Sequence, residues 1–357
     1  MESFDRRAGE LLTDDDRVGL LRQMLLMRTV EERGLALYKQ GKVPGSFYDG
    51  RGQEAVSVGA TWALSGADPV CSPLIRDLGA HLVKGTDLTQ VFQHYMGRDN
   101  ALSRGREGNV HFGDKGVGVV GMVSMLPDMM VVATGLAMAY RMRGERRCAL
   151  TFFGDGATSR GDWHEAMNWA GLDQLPVIFL MEANQLAYST PSARQFARNP
   201  IERAAAYGVH AVTVDGNDVE AVFVATHDAR ERALAGDGPT LIEAQTFRMH
   251  GHGAHDDARY VDPSLIAEWS ERDPIERYTA RLAERGLDVA GLAEDVAAEV
   301  AEAVAVALTA PMPDPASATE GVFCEVAPEG SQLGAGAERW SGFAASAGER
   351  LPSAAAA

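Results

Sequence analysis

What the sequence lacks narrows the field first. Cysteine is scarce: Cys71, Cys148 and Cys324 stand far apart and share no CxxC spacing, so neither a disulfide framework nor a zinc pattern is expected. Basic residues are outnumbered, 33 Lys and Arg against 50 Asp and Glu, for a formal net charge of -17. That balance argues against a nucleic-acid binder, whose phosphate contacts need a basic surface. It leaves room for one phosphorylated small molecule, which backbone N–H groups, an arginine and a metal ion can hold locally. No run of about 18 apolar residues occurs, so no membrane span is expected. Met1 to Asp16 is charged and acidic, unlike a secretory signal or a transit peptide. No internal repeat is visible, and the expectation is a soluble cytoplasmic protein.

What is present is a large core and a repeated strand–helix pattern. Hydrophobic residues make up 46% of the chain, enough to exclude global disorder. Thr13, followed by three aspartates, caps an expected helix whose apolar residues recur through Val30 and which Gly41 can end. Helices are also expected around Glu54 to Leu64 and from Asp87 to Met96. Cys148 to Phe153 is an apolar run stopping at Gly154-Asp155-Gly156. A helix-like segment, Trp163 to Ala170, follows, and a second apolar run, Val177 to Met181, ends at Glu182-Ala183-Asn184. Strand, helix, strand predicts a parallel βαβ unit. Ala211 to Val214, a helix Val219 to Ala235 and a strand Thr240 to Ala244 extend it. The fold class is α/β: a doubly wound, mostly parallel sheet flanked by helices, with ligands expected beyond the carboxyl ends of its strands. Residues 1–44 read as an N-terminal helical segment, 45–310 as the ligand-binding α/β domain and 311–357 as a Pro/Ala/Gly-rich tail. Arg141 to Arg147 reads as a solvated turn.

The chemistry concentrates at two strand ends expected to lie side by side. Asp155 follows one and Asn184 the next. A carboxylate and an amide oxygen there, completed by a backbone carbonyl, can hold a hard divalent cation. Gly154 and Gly156 allow a sharp turn beside which a diphosphate can rest. Carboxylates repel phosphate unless a metal lies between, so Mg²⁺ is the natural inference. A lone GDG triplet is usually an ordinary turn; its place between two apolar runs, with Asn184 at the second, gives it weight.

The stretch FFGDGATSRGDWHEAMNWAGLDQLPVIFLMEANQLAYST resembles the alpha subunits of the thiamine-diphosphate-dependent 2-oxo acid dehydrogenases. Its GDG and the downstream Asn184 look like that family's cofactor motif, GDG, roughly 26 residues and NN. VDGNDVEAV, GPTLIEAQTFR and HGHGAHDD continue the likeness downstream, as do GRGQEA, PLIRDLGAHLVKG and GREGNVHFG upstream, so that it spans Asp14 to Arg277. The resemblance implies thiamine diphosphate and Mg²⁺ as cofactors, with Asp155, Asn184 and the Leu186 carbonyl on the metal. It places Arg76 and the backbone of Gly156 and Ala157 on the diphosphate, Ser124 and Leu126 at the aminopyrimidine ring, and Gly154 and Glu182 in the cofactor-binding set. His252 matches an active-site histidine near the reacting carbon and His111 a second one. Decarboxylating a 2-oxo acid leaves negative charge on a carbon that no side chain can stabilise, so a cofactor must act as electron sink. The acyl fragment then passes to a lipoyl group.

Departures from the family pattern matter. Ala183 stands where the family has its first Asn, Ile75 where a Tyr precedes the diphosphate arginine, and Leu186 where a Tyr supplies the metal carbonyl. Gly253 occupies the position of a phosphorylatable serine in some relatives, which excludes that modification there. The glutamate needed to activate the cofactor belongs, in this family, to a separate beta subunit. The expected partners are therefore a beta subunit in an alpha2beta2 heterotetramer, a lipoyl-bearing acyltransferase and a small 2-oxo acid, pyruvate or branched-chain. An acetoin dehydrogenase alpha subunit and a non-catalytic scaffold remain as alternatives. A third is a metallohydrolase using His250, His252 and His255 with Asp256 and Asp257.

Overall fold

The computed structural model describes residues 2–108 and 111–320. The chain opens with helices α1 (Glu2–Leu11), α2 (Asp14–Lys39) and α3 (Glu54–Trp62), strand β1 (Val70–Cys71), α4 (Leu78–Lys84) and α5 (Leu88–Tyr95). Then come β2 (Val119–Val120), α6 (Asp128–Arg143), β3 (Ala149–Gly154), α7 (Gly161–Leu172) and β4 (Val177–Ala183). A small hairpin, β5 (Leu186–Ala187) and β6 (Thr190–Pro191), leads to α8 (Pro200–Ala204), β7 (His210–Asp215), α9 (Val219–Ala235) and β8 (Thr240–Gln245). Three helices follow, α10 (Pro263–Ser270), α11 (Pro274–Glu284) and α12 (Leu292–Thr309).

Local chemistry accounts for the best-defined ends. Thr13 Oγ1 accepts the Asp16 N–H at 3.1 Å while Thr13 N donates to Asp16 Oδ2 at 2.9 Å, a capping box that satisfies two donors at the start of α2. Asp218 Oδ1 accepts the N–H groups of Glu220 and Ala221, both at 3.1 Å, and so starts α9. Gly236, at φ +87, ends it, in a left-handed conformation that glycine adopts without a Cβ penalty.

Six strands form one sheet in the order β2-β1-β3-β4-β8-β7, every pairing parallel. Parallel sheets carry helices on both faces, which is why their central strands read as continuous apolar runs. Phe153, Val177, Phe179 and Met181 pack toward α6 and α7, among Ala133, Trp163 and Met167. Leu150, Phe152, Ile178 and Leu180 pack toward α3 and α9, among Val56, Val222 and Ala225. The doubly wound fold read from the sequence is the one observed. The chain leaves β1 for β2 on one side and takes up β3 on the other. This topological switch opens a crevice at the strands' carboxyl ends.

A buried ionic cluster ties the outer helices together. Glu220 of α9, 1% exposed, lies 3.1 Å from Arg17 Nε of α2 and 3.0 Å from Arg281 Nη2 of α11. Tyr278 Oη donates to the same carboxylate at 3.0 Å. The chain divides into two units, the first ending at Met312 and the second beginning at Pro313. In the second, Asp314 Oδ1 accepts the Ala316 N–H at 2.9 Å and starts the short turn Pro315–Thr319. The remainder of the tail read from the sequence, Cys324 included, lies outside the described residues.

One expectation needs narrowing, and one element went unread. The segment Arg141 to Arg147 is largely exposed, as read, but Arg141 and Arg143 still belong to α6 and the turn begins at Gly144, while the Arg147 guanidinium sits 4.3 Å from the centre of the Tyr140 ring. The segment from Asp128, assigned no element in the sequence reading, is the first turn of that same helix. Among the described residues, no helix is long and apolar enough to cross a membrane.

Candidate active site

β3 and β4 pair in register with Gly154 opposite Glu182, so Asp155 and Asn184 emerge from neighbouring strand tips. Asp155, 2% exposed, begins a short turn in which its Oδ1 accepts the Gly156 N–H at 2.8 Å and its Oδ2 accepts the Ser192 hydroxyl at 2.5 Å. Gly156 has to be glycine: a Cβ there would lie 2.4 Å from Ala187 Cβ, blocking the β5–β6 hairpin from resting on the turn. Asn184, 5% exposed, donates from Nδ2 to Gln53 Oε1 at 2.9 Å. That bond orients the amide and leaves Oδ1 as an acceptor, with only a long contact, 3.4 Å, from the Leu186 N–H. Burial pushes the Asp155 carboxyl above its ordinary value, although Ser192 and Gly156 pull the other way. A buried carboxylate beside an oriented amide oxygen suits a hard cation.

Two arginines face this pair across a cavity of about 390 Å³. Arg76, in the loop after β1, is 5% exposed and donates to Asp49 O at 2.8 Å and His252 O at 2.6 Å. Arg248, just past β8, is 2% exposed and donates to His250 O at 3.1 Å, Tyr188 O at 2.8 Å and the Tyr260 hydroxyl at 2.6 Å. Carbonyls and a phenol hold both guanidinium groups, and these offset desolvation without cancelling charge. Burial, and then the charge of Arg248, push the Arg76 guanidinium below its usual value. Two buried like charges converging on one cavity fit a multiply charged anion.

His252 is half-buried on the same wall. Its ring packs against Tyr188, 4.7 Å between centres, and edge-on to Tyr48 at 5.6 Å. Burial, then Arg76 and Arg248, hold it down to about 4, so the ring is neutral at physiological pH. Arg76 Nη2 lies 3.5 Å from His252 Nδ1, and because guanidinium can only donate, the ring proton belongs on Nε2. Glu182, 1% exposed, and Asp77, wholly buried, are both pushed up by burial, Asp77 also by Glu182's charge.

The structure thus gathers Arg76, Leu126, Gly154, Asp155, Gly156, Ala157, Glu182, Asn184, Leu186 and His252 around one cavity. His111 and Ser124 do not line it; they form a pair of their own, Nε2 to Oγ, at 2.9 Å. The Gly156 N–H is already engaged by Asp155. Gly253 is confined as well, since a Cβ there would lie 2.8 Å from the Tyr48 ring. The histidine-cluster metal site is not formed: His250 Nδ1 turns to Asp49 Oδ1 at 2.9 Å, and His255 packs edge-on to Tyr48. Among the described residues, no three His, Cys, Asp or Glu side chains group as metal ligands.

Sequence reasoning missed Arg248 and Gln53. Arg248 had a usable signal, since it lies just beyond the end of an apolar strand, as Asp155 and Asn184 do. Gln53 lies within GRGQEA, but nothing local ties it to Asn184, which is 131 residues away.

A parallel doubly wound sheet with a carboxylate–amide pair at adjoining tips and buried arginines opposite defines a class, an α/β protein built to hold a phosphorylated cofactor. Residues 22–316 match the protein family described as dehydrogenase E1 component. The chain is 37% identical over 330 residues to the 2-oxoisovalerate dehydrogenase subunit alpha of Bacillus subtilis (strain 168), covering 90% of this chain and 100% of that relative. It is 36% identical over 293 residues to the pyruvate dehydrogenase E1 component subunit alpha of Rhizobium meliloti (strain 1021), covering 82% and 84%. The chain belongs to the dehydrogenase E1 component family, on the alpha-subunit side.

Proposed function

We propose that this chain is the alpha subunit of a thiamine-diphosphate-dependent 2-oxo acid dehydrogenase that works with a beta subunit and hands its acyl product to a lipoyl-bearing acyltransferase. One observation carries the reading: Asp155 and Asn184 at adjoining strand tips, opposite Arg76 and Arg248 in the same cavity. The residues suit the cofactor. Asp155, Asn184 Oδ1 and the Leu186 carbonyl would hold Mg²⁺, and the two buried arginines would bind the diphosphate. Thiamine diphosphate, when bound, supplies the electron sink that decarboxylation requires.

The chain's own residues then bind, orient and shield. Arg76 and Arg248 give the diphosphate end a fixed place, with their guanidinium groups already held by carbonyls. His252, kept neutral, presents an Nε2–H donor where negative charge develops. Tyr48 and Tyr188 pack against its ring and limit water there. Relatives named for pyruvate and for 2-oxoisovalerate support a 2-oxo acid substrate over acetoin.

Calorimetric titration of thiamine diphosphate, with and without Mg²⁺ and in the presence of the beta subunit, tests the reading. Tight, Mg²⁺-dependent binding that Asp155→Ala removes is expected; binding indifferent to Mg²⁺ would overturn the metal assignment. Full turnover of a 2-oxo acid by the purified chain alone would overturn the two-subunit assignment.

A further inference from the structure

A second cavity, of about 620 Å³, lies at the amino ends of β1, β2 and β3, the end of the sheet remote from Asp155. Lys84, Lys115 and Arg147 line it, and no carboxylate does. In a chain of net charge -17 that is a local reversal. The cavity beside α12 sets Arg22 among Asp87, Glu299 and Glu302, and the one beside β7 sets Arg272 among Asp5, Asp215 and Asp218.

Two of the three cations are built in, and Lys115 is exposed. Lys84 Nζ donates to Gly66 O and Asp68 O, both at 3.0 Å, which fixes the ammonium at the wall and leaves one N–H. Arg147 is stacked on Tyr140, donates to Ala67 O, and shares Nη1 with Glu145 at 3.3 Å, outside the lining. Its Nε is buried and has no partner.

An independent observation comes from Thr61 of α3. It is 2% exposed and lines this cavity, yet its hydroxyl has no hydrogen-bond partner. Thr134 of α6 and Thr226 of α9 donate to the carbonyl one turn back, and a buried hydroxyl left unpaired is destabilising. Three cations around one cavity call for a ligand with several acceptor oxygens and more than one negative charge. Val83, Val117 and Trp62 add an apolar wall for whatever carries that group.

We propose that this cavity is a second anion site, which takes the phosphate group of a small phosphorylated molecule, separate from the cofactor site. Equilibrium dialysis with radiolabelled inorganic phosphate tests it, on the complex with its beta subunit saturated with thiamine diphosphate and Mg²⁺ so that the first cavity is filled. Saturable binding of one phosphate per alpha chain is expected. Lys115→Glu should weaken it at least about tenfold, the effect of a two-unit charge change beside an anion in a high dielectric. The variant should bind thiamine diphosphate as the parent does. Absence of saturable phosphate binding to the complex would overturn the proposal, as would equal affinity in Lys115→Glu.

Discussion

Replacing Asp155 with asparagine should raise the heat stability of the cofactor-free protein, or leave it unchanged, while removing its Mg²⁺-dependent cofactor binding. Asp155 is 2% exposed, and burial holds its carboxyl above the ordinary value. The cofactor-free folded state therefore keeps this proton to a higher pH than the unfolded chain does. Stability falls as pH rises from the ordinary carboxyl value through the raised one, and the penalty is complete above it. Asparagine has nearly the same shape and no charge to bury. Its Oδ1 can still accept the Gly156 N–H, now at 2.8 Å, and the Ser192 hydroxyl can turn to accept from the new amide. At neutral pH the variant should melt no lower than the parent, and any gain should shrink as the pH falls into the ordinary carboxyl range. On the binding side, it loses the one ionised ligand proposed for Mg²⁺. Outer-shell partners of metal sites are worth up to about 100-fold, so an inner ligand should cost at least that, ~2.7 kcal/mol. Thermal melting without ligand and calorimetry with saturating Mg²⁺ measure the two effects separately. Unimpaired Mg²⁺-dependent binding would refute the assignment; a large drop in melting temperature would show that Asp155 serves the fold instead.

Arg248→Gln should weaken cofactor binding about tenfold or more, as expected for losing a charge-assisted contact to phosphate. It should also let the His252 pKa rise from about 4, because Arg248 is one of the charges holding it down; NMR titration showing no rise would contradict that geometry. In the parent protein, a bound diphosphate should favour imidazolium and raise the same pKa, so binding should take up protons between the free and bound values; proton release in that window would count against the placement. Gly156→Ala should lower the melting temperature and weaken cofactor binding, since overpacking costs about 1–3 kcal/mol where the new Cβ would lie 2.4 Å from Ala187 Cβ. Arg17→Met should destabilise by about 3 kcal/mol, the lower end for a broken buried pair, because Arg281 still pairs with Glu220 at 3.0 Å; denaturant unfolding reads it directly.

The parts of this fold that were legible in the sequence are those with strong local chemistry. β3 and β4 are apolar runs cut off by Gly-Asp and by Asn, and α9 lies between an aspartate cap and a glycine stop. By contrast, β1 and β2 are two residues each, too short to show a period, although the loops after them deliver Arg76 and Leu126. α6 is apolar on nearly every face and has no side-chain cap, so neither periodicity nor a start signal marked it. The carboxylate–amide pair of the site was readable because both residues directly follow strand ends. The second arginine was readable by the same rule but went unread, and Gln53 acts through a contact that no local pattern encodes.

The departures from the family motif bear on whether the site works or only survives as a scaffold. Ala183 is half-buried against the cluster beneath α6 and α7, and its carbonyl accepts the Thr246 N–H at 3.2 Å. Its contribution is thus backbone and packing, and an amide there would bury polar atoms against apolar neighbours. Ile75 packs partly against the cluster of α2 and α12 while its neighbour Arg76 turns into the cavity, so a lost hydroxyl at 75 leaves the cation in place. A scaffold has no physical use for two buried guanidinium groups facing a buried carboxylate, because each is costly alone and apolar replacements of similar volume are often neutral or stabilising. That arrangement gains a purpose when a metal-bound anion lies between them, which is why the charge geometry outweighs the two altered letters.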